Sequence, residues 1–287
     1  MTKKELEERK FRPAKQEAKD AAKNLHTPQT TSAAYKLAFQ DKDFLLREDL
    51  RPVRFQLELL KPELLMNEAK IESIFVFYGS ARIPDPEKAE ARLAQATTDA
   101  ERRIAQSLVD KSRYYTEARR LANIAARYPV GEDGQQNFVV CSGGGPSIME
   151  AANRGAADVG APSIGMNIVL PHEQAPNIYV TPELSFQFHY FALRKMHFLL
   201  RARALAVFPG GFGTFDEMFE LLTLIQTGKM KPIPVLLFGR EFWSRMVNFE
   251  ALAEEGVINQ ADLDLITWVE TAEEAWSEIV RFYSLAC

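Results

Sequence analysis

The chain has 287 residues, 46% hydrophobic and 26% charged, with a formal net charge of −4. That length supports a large core and one or two domains, and the acidic balance argues against the basic field that nucleic-acid binding needs. Cys141 and Cys287 are too few for a disulfide framework or a cysteine metal cluster. No apolar run approaches the roughly 20 residues of a membrane span and no apolar signal segment leads the chain, so a cytoplasmic protein is expected.

Residues 1–33 are charged and poor in large apolar side chains. Lys3 to Glu8 reads as a solvated helix and His26 to Ser32 as a linker, which together make a flexible arm or a helix that docks on a partner subunit. Val53, Leu57, Leu60 and Leu64 recur at helical spacing, whereas Val53, Phe55, Leu57 and Leu59 alternate as in a strand. The clusters Leu59-Leu60 and Leu64-Leu65-Met66 favour helix, with Pro62 expected to interrupt or restart it.

Ile74 to Tyr78 predicts the first buried strand, and Gly79-Ser80-Ala81-Arg82 follows at its carboxyl end. Open α/β sheets bind ligands beyond that end, so Gly79 and Ser80 fit a phosphate or ribose contact and fit a plain turn equally well. Leu93, Ala96, Ala100, Ile104 and Leu108 predict one amphipathic helix, and Tyr114 to Tyr128 another. Asn137 to Cys141 predicts a second strand, running into Gly143-Gly144-Gly145-Pro146-Ser147 and a helix over 151–159. The glycine spacing is not G-x-G-x-x-G, and no acidic residue follows on a strand about 20 residues later, which disfavours a dinucleotide-binding dehydrogenase.

Ser163 to Leu170 predicts a third strand, 171–177 a polar loop with His172 and Glu173, and 185–190 a short strand. A helix over 191–202 carries Arg194 and Lys195, which read either as site residues at the sheet edge or as solvated surface charge. Ala204 to Phe208 predicts a further strand, followed by Pro209-Gly210-Gly211-Phe212-Gly213-Thr214-Phe215-Asp216-Glu217 and a helix over 218–228. A glycine turn feeding a helix leaves backbone N–H groups free at the positive helix end, where a phosphate can sit. Asp216 reads as a first-turn carboxylate. Strands at 233–238 and 263–269 alternate with helices at 241–254 and 272–285. The alternation gives an α/β fold, a Rossmann-like doubly wound parallel sheet over 71–287, with residues 1–70 as an N-terminal extension that is partly flexible and then helical.

The run Pro209 to Glu217 resembles the P-G-G-x-G-T-x-x-E motif of the LOG ("lonely guy") family, many of whose sequences carry the label lysine decarboxylase-like. Tyr78 to Arg82, Gly143-Gly144-Gly145 with Met149, and Arg194-Lys195 with Met196 agree with it in order, over roughly residues 72–285. Ser147 departs, standing where longer relatives show glycine, and both the 84–111 segment and the N-terminal region exceed the short plant-type enzymes. The resemblance implies hydrolysis of the N-glycosidic bond of a nucleoside 5′-monophosphate by a homodimer or higher homo-oligomer, with no cofactor or metal. It implies catalytic roles for Glu217 and Arg194. Gly210, Gly211, Gly213 and Thr214 would hold the 5′-phosphate, Gly79, Ser80 and Gly143 to Gly145 would line the nucleotide, and Lys195 would neutralise charge. A non-catalytic nucleotide-binding or sensor protein on the same scaffold is the alternative. Amino-acid decarboxylation ranks lower, because neither Lys195 nor Lys229 sits in a pattern that marks a Schiff-base lysine.

Overall fold

The computed structural model describes residues 11–171 and 175–285, in two units, Met1–Leu57 and Glu58–Cys287. The sequence expectations at Lys3 to Glu8, His172, Glu173 and Cys287 lie outside the described residues. In the smaller unit, α1 (Ala14–Ala21), α2 (Lys42–Leu45) and three short 3-10 turns bury no apolar residue fully. Phe11, Leu25 and Leu46 stay 88%, 83% and 70% exposed, as a segment so poor in large apolar residues must leave them.

Helix α3 (Arg51–Glu68) runs on through Pro62, where the sequence leads one to expect an interruption or a restart. Proline has no N–H to give to the carbonyl four residues back, here that of Glu58. That carbonyl is satisfied from elsewhere: Nε2–H of the buried His197 donates to it at 3.1 Å. The lost rung of the helix is thus replaced by a tertiary bond.

In the larger unit, β1 (Ile74–Tyr78) is buried at every position. After α4 (Pro86–Gln95), α5 (Asp99–Lys111) and α6 (Arg113–Ala125) come β2 (Val139–Ser142) and α7 (Ile148–Ala157). Next are β3 (Ser163–Ile168), β4 (Ser185–Phe188), α8 (Phe191–Leu200), β5 (Ala202–Val207) and α9 (Phe212–Gln226). The chain closes with β6 (Val235–Phe238), α10 (Arg240–Met246), α11 (Phe249–Glu254), β7 (Thr267–Val269) and α12 (Ala272–Tyr283). These seven strands form one sheet in the order β4-β3-β2-β1-β5-β6-β7, and every pairing is parallel. The sheet grows from β1 first through β2 to β4, then on the opposite side through β5 to β7. The reversal places a crevice at the carboxyl ends of β1 and β5, the usual ligand position of a doubly wound sheet.

Side chains alternate across the strands. Phe75 and Phe77 meet Tyr115 and Leu121 of α6, Ile148 and Ala152 of α7, and Ile279 of α12 in one buried cluster. Small residues let α6 and α7 pack closely, and a Cβ on Gly155 would lie 2.8 Å from Ala122 Cβ. On the opposite face Tyr78 meets Phe198 of α8 edge-on at 5.1 Å.

Three predicted elements divide. The single helix expected through Leu93 and Leu108 is two, because Thr98 and Glu101 form a capping box that starts α5. The helix expected over 241–254 breaks at Asn248, whose side chain caps α11 by accepting from Ala251 N. The strand expected over 263–269 keeps only β7, since Gln260–Leu265 wind into a 3-10 helix.

Candidate functional site

The elements converge on a cleft of about 760 Å³ at the carboxyl edge of the sheet. Its floor comes from three turns: Gly79 and Ser80 after β1, Gly143 after β2, and Gly210 and Gly211 after β5. Ser80 binds these turns together. Its N–H donates to Pro209 O at 3.1 Å, and its carbonyl accepts from Ile148 N at 3.3 Å. Helix α9 begins at Phe212, earlier than the sequence reading placed it, so Gly213 and Thr214 lie in its first turn. Asp216, expected in that first turn, falls beyond it and pairs with Lys195 instead.

The glycines serve two different ends. A Cβ on Gly143 would lie 2.6 Å from Arg194 Nη2, one on Gly79 2.6 Å from Ile148 Cγ2, and one on Gly210 2.6 Å from Thr214 Cβ. Those three are required by neighbouring protein atoms. Around Gly211 and Gly213 nothing stands within 4 Å of the Cβ position, so these two leave the first turn of α9 open to an incoming anion.

Arg194 and Glu217 meet inside the cleft. Arg194 Nη1 lies 3.0 Å from Glu217 Oε1, with side chains only 11% and 13% exposed. Arg194 Nε donates to Met166 O at 2.6 Å, and its guanidinium lies 4.9 Å from the centre of the Phe198 ring. One arginine is thereby fixed by a carbonyl, a carboxylate and an aromatic face, which sets the plane of its fork. Burial pushes the Glu217 carboxyl up to about 7, outweighing the adjacent Arg194, which acts to lower it. A carboxyl that titrates near neutrality in a cleft is suited to accept a proton. The Tyr78 phenol, buried and close to Glu217, is pushed well up, chiefly by desolvation. Burial also pushes up the Cys141 thiol, which keeps that cysteine from acting as a thiolate.

Met149, Ile168, Leu170, Phe191, Phe215 and Met246 give the cleft an apolar wall, the kind of surface against which a planar base packs. Of these the sequence reading marked Met149 alone, because apolar residues on a cleft wall carry the same signal as core residues.

Three of the sequence-predicted residues are not among the described residues lining the cleft. Lys195 pairs with Asp216 at 3.0 Å and with Glu220 at 3.1 Å. Gly144 and Gly145 turn their carbonyls to Asn177 Nδ2, at 3.1 and 3.0 Å. Gly144 has φ +73°, and a Cβ there would meet the Asn167 side chain. A buried polar chain fixes this loop: Ser142 Oγ donates to Asn153 Oδ1 at 2.7 Å, while Asn153 Nδ2 donates to Ser163 Oγ at 3.1 Å.

A second support escaped the sequence reading. Glu58 accepts from His189 N at 2.9 Å and from Tyr190 N at 3.2 Å, at the start of α8. Glu63 Oε2 lies 2.8 Å from Arg201 Nη2 just past the end of α8. The helix carrying Arg194 is held at both ends by α3. Pro62 inside a helical pattern was the available signal, since it implies a carbonyl that needs another donor.

Fold and site together define a doubly wound α/β protein with an open helix N-terminus beside a buried arginine–carboxylate pair. A family model described as possible lysine decarboxylase matches residues 149–279. A probable cytokinin riboside 5′-monophosphate phosphoribohydrolase from Oryza sativa subsp. japonica is 28% identical over 90 residues, which is 31% of this chain and 43% of the relative. A cytokinin riboside 5′-monophosphate phosphoribohydrolase from Arabidopsis thaliana is 26% identical over 147 residues, 50% of this chain and 67% of the relative. The chain thus spans between 43% and 67% of the length of these two curated relatives. The solved molybdenum cofactor binding protein of Rippkaea orientalis aligns with a TM-score of 0.44 at 18% identity, over 75% of this chain and 98% of that one, a likeness too loose to bear on function. In these matches the chain is similar to the LOG family.

Proposed function

We propose that the protein hydrolyses the N-glycosidic bond of a nucleoside 5′-monophosphate, releasing the free base and ribose 5-phosphate. The observation that carries this reading is the Arg194–Glu217 pair, 3.0 Å apart and nearly buried, in a cleft whose floor includes the open first turn of α9. The 5′-phosphate binds at Gly210, Gly211, Gly213 and Thr214, where free N–H groups and the helix dipole favour an anion. Gly79, Ser80 and Gly143 line the nucleotide, and the base lies against the apolar wall. As the C1′–N bond breaks, oxocarbenium character develops at the ribose. Glu217 stabilises it and takes a proton from the attacking water. Arg194, fixed beside Glu217, neutralises negative charge on the departing base.

The names of the plant relatives support a phosphoribohydrolase and suggest cytokinin riboside 5′-monophosphate among the nucleotides to test. The family also suggests a homodimer. The residues do not fit the decarboxylase description: a pyridoxal phosphate enzyme needs a lysine for its Schiff base, and no lysine is among the described residues lining the cleft. Purified protein incubated with AMP, CMP, GMP and UMP should release free base and ribose 5-phosphate. Release no greater than that of Glu217→Gln refutes the hydrolase, and tight nucleotide binding without release would assign the non-catalytic alternative.

A further inference from the structure

On the other side of the Pro209-Gly210-Gly211 turn lies a second cavity of about 480 Å³. It shares Ser80, Arg82, Gly210 and Gly211 with the main cleft, so the two meet at the turn proposed to hold phosphate. Its outer wall is one face of α5, from the 84–111 segment that no role above has used. Arg103, Ser107 and Lys111 stand four residues apart on that face, successive turns of one helix.

The chemistry of this cavity differs from that of the cleft. Arg82, Arg103 and Lys111 line it, and no aspartate or glutamate is among its described lining residues. Arg82 and Arg103 are exposed and form no ion pair among the described residues. Among the described residues, Lys111 Nζ donates only within its own helix, to Ser107 Oγ at 2.6 Å and Ser107 O at 3.2 Å. The chain is acidic as a whole, at −4, so three cations around one cavity without a carboxylate are not a general property of its surface. Ile83, Ile104, Leu108 and Phe242 supply the rest of the lining. Ile104, 65% exposed, faces this space and not the core, so α5 turns both its charge and its apolar surface toward a ligand.

We infer that this cavity receives the terminal phosphate of a nucleoside 5′-diphosphate, with Arg82, Arg103 and Lys111 as its ligands and the first phosphate at the α9 turn. The inference rests on the nucleotide reading and extends it in substrate class. A monophosphate ends at the turn; one further phosphate continues past Gly210 and Gly211 into the cations.

Calorimetric titration of the full chain with AMP and with ADP tests it. ADP should bind at least about tenfold more tightly than AMP, as expected for added charge-assisted hydrogen bonds. Arg103→Ala and, separately, Lys111→Ala should each weaken ADP about tenfold and leave AMP affinity within about twofold. The inference is overturned if ADP binds no more tightly than AMP, or if the variants weaken both nucleotides alike. Failure of AMP itself to bind removes the nucleotide reading along with the inference, whereas AMP binding without a gain from ADP removes the inference alone.

Discussion

Replacing Arg194 by methionine should move the pH dependence of the reaction in a calculable direction. Glu217 titrates near about 7 because burial raises it more than Arg194, at 3.0 Å, lowers it. An opposite charge that close shifts a carboxyl by about 1–3 pKa units. Without the guanidinium, burial acts alone and the carboxyl should titrate about 1–3 units higher. A general base works only when ionised, so activity rises with pH through the Glu217 midpoint, and Arg194→Met should displace that rising limb upward. At pH 7 the ionised fraction of Glu217 then falls roughly 5- to 500-fold, from about one half to between about 0.1 and 0.001. The loss of charge stabilisation lowers the plateau as well, so the midpoint is the diagnostic quantity. The assay is ribose 5-phosphate release from saturating nucleotide across pH 5 to 10. The substrate phosphate also titrates, near about 6, and its limb should stay in place in the variant. An unchanged midpoint in Arg194→Met would refute the coupling.

Ser147 sits at φ +64°, where a non-glycine residue costs about 1–3 kcal/mol. Ser147→Gly should therefore raise stability by about 1 kcal/mol after the entropy glycine loses on folding, read as a higher midpoint in urea. Gly143→Ala should cut turnover by about 10- to 100-fold by displacing the Arg194 fork, with an unchanged circular dichroism spectrum. His197→Leu should cost about 1–3 kcal/mol by stranding the Glu58 carbonyl. Pro62→Ala should shrink that cost in a double-mutant cycle, because alanine restores an N–H for the same carbonyl. Burial holds the His197 pKa below its ordinary value. A depressed folded-state pKa gives stability that is present above the unfolded value and lost as pH falls through the folded one. Denaturation curves should show this loss on the acid side, and His197→Phe should flatten it.

The fold was legible wherever burial on both faces made a strand continuously apolar, as at Ile74 to Tyr78 and Ala204 to Val207. Element ends were less legible, because periodicity ignores caps: Thr98 and Asn248 split helices that Leu93, Leu108 and Phe249 appeared to join. The motif brought Glu217 to attention, and the structure places Arg194 beside it although they lie 23 residues apart. No local pattern could reveal that Gly143 makes room for Arg194, or that Gly144 and Gly145 face Asn177. Those assignments depend on which atoms stand behind each glycine, a property of the packed sheet and not of the glycine run. The polar chain through Asn153 and the hold of α3 on α8 were invisible for the same reason, except for the hint from Pro62.

Glycosidic cleavage, as opposed to dephosphorylation, is the central claim, and product identification with AMP tests it most directly. Chromatography of the reaction should show adenine and ribose 5-phosphate in equal amounts, with neither formed by Glu217→Gln. Adenosine and inorganic phosphate in their place would contradict the account.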